Sequence, residues 1–430
     1  YERAKGAAGQ TLRQLPVVGE SAYGAAKRMK DSLKQLVSPI SIFETLGLKY
    51  GGPIDGHDIR ALEKAMRDAS ALHGPVVIHV VTDKGHGYAP AVDDDVDKFH
   101  GVSSFDPDSG AFGAKPAAWT DVFGAALLEA AEVDDRIVAI TAAMASSTGL
   151  LPFAARFPQR FFDVGIAEQH AVTFAAGLAM QGMRPVVCIY STFLQRAFDQ
   201  VACDVALHKL PVTFVLDRAG ITGDDGASHH GMLDLAYLRL VPGMTVSAPS
   251  SPDDLRDLLV TALAHDGPFA IRYPRGTAPQ AAGGKPRVVP IGRMSVLREG
   301  NDLALLAIGK MVGVAEAAAE TLAAEGVACT VVDARFVKPL DQDIAALVAS
   351  HTGAVTIEDG TAVGGFGDAV LEALAAARVA VPVTRLGLPD RFIEHGAQQL
   401  LLHKYGLDAE GLAAAGRELL RANRPSVLAG

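Results

Sequence analysis

Cysteine is scarce in this chain: its 430 residues include three, Cys188, Cys203 and Cys329. No two of them form a Cys-x-x-Cys pair and all lie in apolar surroundings, so we interpret them as buried thiols of a reducing compartment. No apolar run approaches the roughly 18 residues that a membrane span needs, and no signal-peptide pattern is present. We therefore expect a cytoplasmic protein that does not bind a membrane.

An excess of positive charge is also lacking. The chain has 39 Lys and Arg against 49 Asp and Glu, a net charge of −10. Because nucleic-acid binding depends on neutralising phosphates, this balance argues against a nucleic-acid partner, although a local basic cluster can still bind a small phosphorylated molecule. The length predicts two to four domains. The chain begins at Tyr1 rather than Met, which we interpret as the start of a fragment.

Short runs rich in Val and Ile alternate with helical stretches such as Ser251–Ala264 and Val312–Ala324. Nearly continuous apolar runs are typical of strands buried on both faces. The alternation predicts the α/β class, with parallel sheets and right-handed crossovers. The predicted strands are Pro75–Thr82, Arg136–Thr141, Pro185–Tyr190, Val212–Leu216, Met244–Ala248, Leu303–Ile308, Ala328–Val332 and Ala354–Ile357.

Two linkers rich in Gly, Ala and Pro, at 109–116 and 276–285, divide the chain into blocks 1–116, 117–282 and 283–430. The first block contains one clear strand, Pro75–Thr82, after a polar, basic and weakly patterned segment at 1–50. Since one strand does not make a sheet, we expect the first domain to be incomplete.

Glu168 stands in the segment DVGIAEQHAV, at a predicted strand-to-helix junction. An ordinary surface or capping glutamate is one interpretation, because the helix dipole favours negative charge there. The alternative is a carboxyl group in an apolar pocket beside Ile166, placed to exchange a proton.

Polar and aromatic residues follow other predicted strands at their carboxyl ends, where α/β sheets bind ligands. After the Pro185–Tyr190 strand, Phe193 and Arg196 fit either core and solvated positions or a ligand site. The loop LDRAGITGDDGASHHG places Arg218, Asp225 and His229 after another strand; a metal or calcium loop is disfavoured there because adjacent ligands rarely converge and no EF-hand ligand follows.

Two more segments predict phosphate contacts. Arg275 in IRYPRG has a guanidinium that suits a phosphate. Lys84 and Tyr88 in TDKGHGYAPA, followed by His100, lie just past the Pro75–Thr82 strand. The segment EDGTAVGGFGDAV fails the spacing of a dinucleotide fingerprint, so we do not predict nucleotide binding there.

The combination resembles the 1-deoxy-D-xylulose-5-phosphate synthase family of the transketolase superfamily. The segments that carry the resemblance are DVGIAEQHAV, YSTFLQRAFDQ, LDRAGITGDDGASHHGMLDL, RYPRG, TDKGHGYAPA and GPIDGHD, together with LPDRFIEHG near the end. Transketolases and the β subunits of 2-oxo-acid dehydrogenases share the glutamate but not the DRAG and GASHHG string. The resemblance implies three domains of the thiamine-diphosphate-enzyme type with parallel or mixed sheets: the end of a diphosphate-binding domain (1–116), a pyrimidine-binding domain (117–282) and a transketolase C-terminal domain (283–430).

The resemblance also implies an activity: a homodimeric transferase that condenses pyruvate, with decarboxylation, and D-glyceraldehyde 3-phosphate to 1-deoxy-D-xylulose 5-phosphate, at the start of non-mevalonate isoprenoid synthesis. It assigns Glu168 to N1′ of the aminopyrimidine of thiamine diphosphate, and catalysis also to His229, His100 and Asp225. The remaining roles follow from the same resemblance: cofactor contacts for Tyr88, Lys84, Phe193 and Ile166, and substrate contacts for Tyr190, Arg196, Arg218 and Arg275.

One departure concerns the metal. The family holds Mg²⁺ and the diphosphate with Gly-Asp-Gly followed by Asn, and this chain has two asparagines, Asn301 and Asn423, neither near such a position. We therefore expect no metal ligands in this chain and place them in an N-terminal segment that is separate or missing. Two alternatives remain: a non-catalytic homologue or scaffold, and a β-type subunit of a 2-oxo-acid dehydrogenase.

Overall fold

The computed structural model describes residues 42–114 and 116–422; the polar segment 1–41 and Asn423 lie outside them. The chain divides into two compact units, with the boundary between Gly113 and Ala114. The predicted domain boundaries at 116 and 282 stay predictions. None of the helices in the described ranges is long and apolar enough to cross a membrane.

The first unit is built on two parallel strands, β1 (Lys49–Asp55) and β2 (Val76–Val81). The helix between them, Ile59–Ser70, is capped by Asp58, whose carboxylate accepts the N–H groups of Arg60 and Ala61 at 3.0 Å. Short helices span Ile42–Thr45 and Ala89–Val92. The expectation of a single strand was wrong: β1 reads KYGGPID, and its two glycines and proline obscure the apolar pattern.

A seven-stranded sheet forms the first half of the second unit. Its order is β12-β7-β8-β6-β5-β3-β4, and every pair is parallel except the antiparallel edge strand β12 with β7. Helices cover its faces, and a run of short helical turns occupies 191–206. The strands are β3 (Ile137–Thr141), β4 (Phe161–Asp163), β5 (Arg184–Tyr190), β6 (Thr213–Ala219), β7 (Thr245–Ser247), β8 (Phe269–Pro274) and β12 (Phe336–Lys338); the helices are Trp119–Val133, Leu151–Arg156, Glu168–Met180, Asp234–Leu240 and Pro252–Ala264.

A five-stranded sheet forms the other half. Its order is β14-β13-β10-β11-β9, with β9 antiparallel at one edge. The strands are β9 (Ser295–Arg298), β10 (Leu303–Ala307), β11 (Cys329–Asp333), β13 (Gly353–Thr361) and β14 (Val383–Leu388); the helices are Met311–Ala324, Ile344–Ala349, Phe366–Ala377, Gln398–Lys404 and Ala409–Ala422. Because β12 follows β11 in the chain yet pairs with β7, the two sheets are tied together.

The α/β prediction is confirmed. All eight predicted strands are present, and β3, β10, β11 and β13 are buried along their whole length, as continuous apolar runs require. The parallel strands β3 to β6 and β8 end at one edge of the seven-stranded sheet. The segments that follow these strands therefore lie together at this edge, which is where α/β sheets bind ligands.

Candidate active site

Glu168 is the first residue of a helix and is nevertheless buried, with 4 % of its surface exposed. The chain leaves β4 at Asp163, whose carboxylate accepts the N–H groups of Gly165 at 3.0 Å and Ala143 at 2.8 Å. Gly165 adopts a φ of +71°, which a residue with a side chain rarely takes. The resulting turn carries Glu168 under the sheet edge. Its Oε2 atom lies 3.2 Å from Nη1 of Arg196.

A cavity of about 500 Å³ opens beside Glu168. It brings together four of the predicted site residues: Glu168, Ile166, Phe193 and Arg196. Other lining residues come from the segments that follow β3, β5 and β6: Ala142, Ala143, Met144, Thr192, Gln195 and Ser228. Glu168 thus lies in a cavity that apolar and polar side chains line alike, and Arg196 pairs with it there. That its carboxyl group exchanges a proton stays a prediction.

Phe193 connects this cavity to the neighbouring predicted residues. Its ring stacks on Tyr190 at 5.3 Å between centroids and meets the edge of the His229 ring, also at 5.3 Å. His229 Nδ1 lies 3.0 Å from the hydroxyl of Ser228, itself a lining residue. Burial raises the pKa of Tyr190, so its hydroxyl stays protonated and available as a donor.

Two arginines share one carboxylate oxygen at the same edge. Nη1 of Arg218 lies 3.2 Å and Nη1 of Arg275 lies 2.8 Å from Oδ2 of Asp225. The Arg218 guanidinium also lies 4.0 Å above the centre of the Tyr190 ring, a cation–π contact. Two positive charges on one negative charge leave a net positive, part-exposed group. Such a group suits an anion, and a phosphate above all.

His230, beside His229, has a different role. It is buried, its Nδ1 accepts the N–H of Thr222 at 3.0 Å, and its Nε2 lies 3.0 Å from the carbonyl oxygen of Glu394. These partners require the neutral ring with the proton on Nε2. His230 therefore ties the loop to the five-stranded half. The printed sequence alone does not distinguish the two histidines.

Three predicted residues of the first unit, Lys84, Tyr88 and His100, line one cavity of about 560 Å³. The turn that carries Lys84 and Tyr88 relies on Gly85 and Gly87, with φ of +86° and +90°. The Tyr88 hydroxyl donates to the carbonyl of Pro107 at 2.9 Å. Two cationic side chains, Lys84 and Lys98, make this cavity suitable for an anionic group.

Within residues 42–114 and 116–422, one group of metal-ligand side chains lies together: His57, Asp83 and His86, with their ligand atoms within 4.8 Å of one another. It does not fit Mg²⁺, which prefers oxygen ligands in octahedral geometry. Moreover, His57 Nε2 already accepts the N–H of Asp83 at 2.7 Å. The acidic and histidine pairs of the loop after β6 do not belong to this group.

Sequence reasoning missed a set of buried charges behind the loop: Arg272, Asp234, Asp359 and Lys310. It also missed Asp217, whose pKa burial raises to about 6 and which accepts a hydrogen bond from Thr120 at 2.6 Å. One signal was present. Arg272 stands inside the apolar strand FAIRYP, and a charge in a buried strand requires a buried partner.

The parallel sheets and the edge that carries Glu168 define a transketolase-like α/β class. The chain matches the family described as "Transketolase, pyrimidine binding domain" over 115–280 and that described as "Transketolase, C-terminal domain" over 292–412. A solved split-gene transketolase, described as an inactive beta4 tetramer, is 35 % identical with a TM-score of 0.65; the alignment covers 72 % of this chain and 100 % of that one. A transketolase mutant from Pichia stipitis, 18 % identical over 72 % of this chain and 47 % of its own, shares the fold at a TM-score of 0.60.

Within this class the chain belongs to the 1-deoxy-D-xylulose-5-phosphate synthase family. Residues 1–82 match the family of that description. The synthase of Desulforudis audaxviator is 54 % identical over 417 residues, which are 95 % of this chain and 65 % of the relative. The synthase of Syntrophotalea carbinolica is 49 % identical over 98 % of this chain and 67 % of its own length. This chain thus spans about two thirds of the length of the curated relatives it matches.

Proposed function

We propose that this chain supplies the pyrimidine-binding and C-terminal parts of a 1-deoxy-D-xylulose-5-phosphate synthase. The activity would condense pyruvate, with decarboxylation, and D-glyceraldehyde 3-phosphate. The observation that carries the proposal is the buried carboxylate of Glu168 in a cavity shared with Phe193, beside the arginine pair on Asp225. A site for an uncharged ring thus adjoins a site for an anion.

The cavity fits the organic end of thiamine diphosphate. When bound, the cofactor supplies the nucleophilic carbon at which pyruvate loses carbon dioxide. Glu168 would hold N1′ of the aminopyrimidine through a hydrogen bond that water cannot contest, because the carboxyl group is buried. Phe193 and Ile166 would pack on the ring. In the first unit, Lys84 would neutralise the diphosphate and Tyr88 would line its cavity.

The part-exposed group beyond Phe193 would take the phosphorylated aldehyde. Arg218 and Arg275 would bind the phosphate, displacing part of their interaction with Asp225. Tyr190 would complete this end, whereas Arg196, also predicted as a substrate contact, lines the Glu168 cavity and pairs with Glu168. His229 and Asp225 would orient the hydroxyl and carboxylate groups and transfer protons, since a neutral imidazole both donates and accepts near pH 7. The catalytic role of His100, which lines the cavity of the first unit, rests on the family resemblance.

We further propose a Mg²⁺-dependent, cytoplasmic homodimer whose metal ligands belong to residues of the complete protein that are not in this sequence. The absence of the Gly-Asp-Gly and Asn pattern from the printed chain and its 65 % coverage of the first relative support this. The alternatives, a scaffold or a dehydrogenase β subunit, are less well supported because the residues that the resemblance assigns to catalysis are present and residues 1–82 match the synthase family.

The test is direct. The protein expressed from its complete gene is incubated with pyruvate, D-glyceraldehyde 3-phosphate, thiamine diphosphate and Mg²⁺, and 1-deoxy-D-xylulose 5-phosphate is measured by mass spectrometry. We expect product from the complete protein and none from the 430-residue chain by itself. No product from the complete protein would refute the proposed function, and product from the chain alone would refute the fragment interpretation.

A further inference from the structure

Arg272 lies at the centre of a charge-balanced group that does not line the Glu168 cavity; Arg272 and its two carboxylate partners are fully buried, and Lys310 is partly buried. Its Nε lies 3.0 Å from Oδ2 of Asp234 and its Nη2 lies 3.3 Å from Oδ1, a two-pronged pairing. Its Nη1 pairs with Asp359, whose other oxygen lies 3.6 Å from Nζ of Lys310. Two cations and two carboxylates therefore cancel, which is the condition for charges to remain buried.

Asp234 connects this group to the segment that carries the cofactor-facing residues. Its Oδ2 accepts the hydroxyl of Ser191 at 3.0 Å. Ser191 follows Tyr190 directly and opens the helical turn that bears Phe193; the next turn bears Arg196. A shift of Asp234 would therefore move Ser191, and with it one wall of the cavity.

Asp359 connects the same group to the loop that carries Asp225 and His229. It packs against Gly220, where a Cβ atom would overlap the Asp359 carboxylate. Gly220 has a φ of +72° and exchanges two backbone hydrogen bonds of 2.8 Å with Gly231. Gly231 is equally confined, because a Cβ there would overlap the Ser191 hydroxyl and the Arg218 carbonyl. The two glycines form the base of loop 221–230, and this base rests on Asp359 and Ser191.

We propose that Arg272 is a positioning residue: through Asp234 and Asp359 it sets the placement of the Phe193 segment relative to loop 221–230. Arg272 contacts both Asp234 and Asp359. Arg218 and Arg275 instead contact the loop through the part-exposed carboxylate of Asp225. The inference builds on the proposed function, because loop 221–230 carries the residues assigned to the phosphorylated aldehyde.

The test uses the complete protein and the double variant Arg272→Met/Asp359→Asn, which removes one charge of each sign. The net charge of the group stays zero, although Asp234 loses Arg272 and Lys310 loses Asp359. The control is Arg335→Met, which breaks a second buried pair, Arg335 with Asp254 at 2.7 Å, away from the loop. The first readout is amide hydrogen exchange of residues 220–231 by mass spectrometry. We expect roughly tenfold faster exchange in the double variant, because the base of the loop opens locally, and no change there in the control.

The second readout separates KM from kcat. Small displacements of binding groups weaken catalysis by roughly 10- to 100-fold, and we expect a rise of that order in the KM for D-glyceraldehyde 3-phosphate. A purely structural role would lower Tm in both variants and leave KM and loop exchange unchanged, which would overturn the proposal. If the double variant does not fold, the same two measurements are made on Arg272→Lys, which keeps the charge but not the two-pronged pairing. We expect faster exchange of the loop and a higher KM in that variant as well. Amide exchange is measured without substrates, so it tests the positioning role of Arg272 even if the protein does not have the proposed synthase activity.

Discussion

Two groups of charges contact loop 221–230, and they differ in exposure and balance: one lies at the base of the loop, behind it, and the other, in front, includes Asp225 of the loop itself. Behind the loop, Arg272, Asp234 and Asp359 have side chains at most 1 % exposed, and with Lys310 their charges cancel. In front of it, Arg218, Arg275 and Asp225 are 20 to 42 % exposed and carry a net positive charge. Arginine and aspartate therefore form a fully paired buried group behind the loop and a net positive, part-exposed group in front of it.

The physical reason is solvation. A buried charge without a partner is strongly destabilising, so the inner group must be paired completely and is suited to holding structure. Exposed pairs contribute little to stability, so the outer arginines can exchange Asp225 for an incoming anion at small cost. We expect substitutions in front of the loop to change activity, and substitutions behind it to change stability and loop placement.

The largest expected effect lies at the deepest point of the open side. Glu168→Gln should lower the rate of C2–H exchange of bound thiamine diphosphate, measured by NMR in the complete protein, by roughly 10²- to 10⁴-fold, the usual contribution of a positioned proton-transfer group. The exposed Glu320→Gln serves as control. An unchanged exchange rate in Glu168→Gln would show that its role is assigned wrongly.

Behind the loop, Arg272→Met should lower the free energy of unfolding by about 3–5 kcal/mol, because Asp234 loses its cation and Asp359 keeps only Lys310. Urea unfolding followed by circular dichroism measures this. The charge-balanced Arg272→Met/Asp359→Asn variant should lose less than the single variant. Equal losses would mean that packing, rather than charge balance, holds the inner group.

Glu358 and Asp359 are neighbouring buried carboxylates whose pKa values shift in opposite directions. Despite burial, Arg272 and Lys310 hold the pKa of Asp359 below its usual value. Burial raises the pKa of Glu358 to about 7, although Glu358 accepts the backbone N–H groups of Phe366 and Gly367 at 2.9 Å, which lower its pKa. The folded form thus binds the Glu358 proton more tightly than the unfolded form. Stability from this group is therefore present below the unfolded value of 4.5 and is lost as pH rises to about 7.

We expect wild-type protein to lose roughly 3 kcal/mol of unfolding free energy from this group between pH 4.5 and pH 8. Glu358→Gln cannot titrate and should remove that slope in urea unfolding series. Asp359→Asn should leave the slope in place. A slope that survives in Glu358→Gln belongs to another group.

In front of the loop the expected effect is smallest. Arg275→Ala should raise the KM for D-glyceraldehyde 3-phosphate about 10- to 100-fold, the equivalent of one charged hydrogen-bonding contact. Because Arg275 is 42 % exposed, Tm should stay within about 1 °C of the wild type. A large fall in Tm with an unchanged KM would show that Arg275 stabilises the fold and does not bind the substrate.

Much of the fold could be predicted from the sequence. Runs buried on both faces give an unbroken apolar signal, and each of the eight predicted strands is present. Six of the described strands are not among them: β4, β9 and β12 are short, β14 is only partly buried, the charge of Arg272 interrupts β8, and two glycines and a proline interrupt β1. The site segments were found because polar residues follow strands whose carboxyl ends meet at one edge.

Other features depended on contacts between distant residues. Local pattern holds no information on which carboxylate meets Arg272, since Asp234 and Asp359 are 38 and 87 residues away. The same holds for His230, whose partner Glu394 is 164 residues away and which therefore could not be separated from His229.

The sequence by itself determined the class, the strands and the segments that carry chemistry, because these depend on local composition and period. Only the tertiary structure decided which charges are buried and balanced and which stay open. That decision rests on desolvation, and desolvation depends on what the folded chain packs around each group.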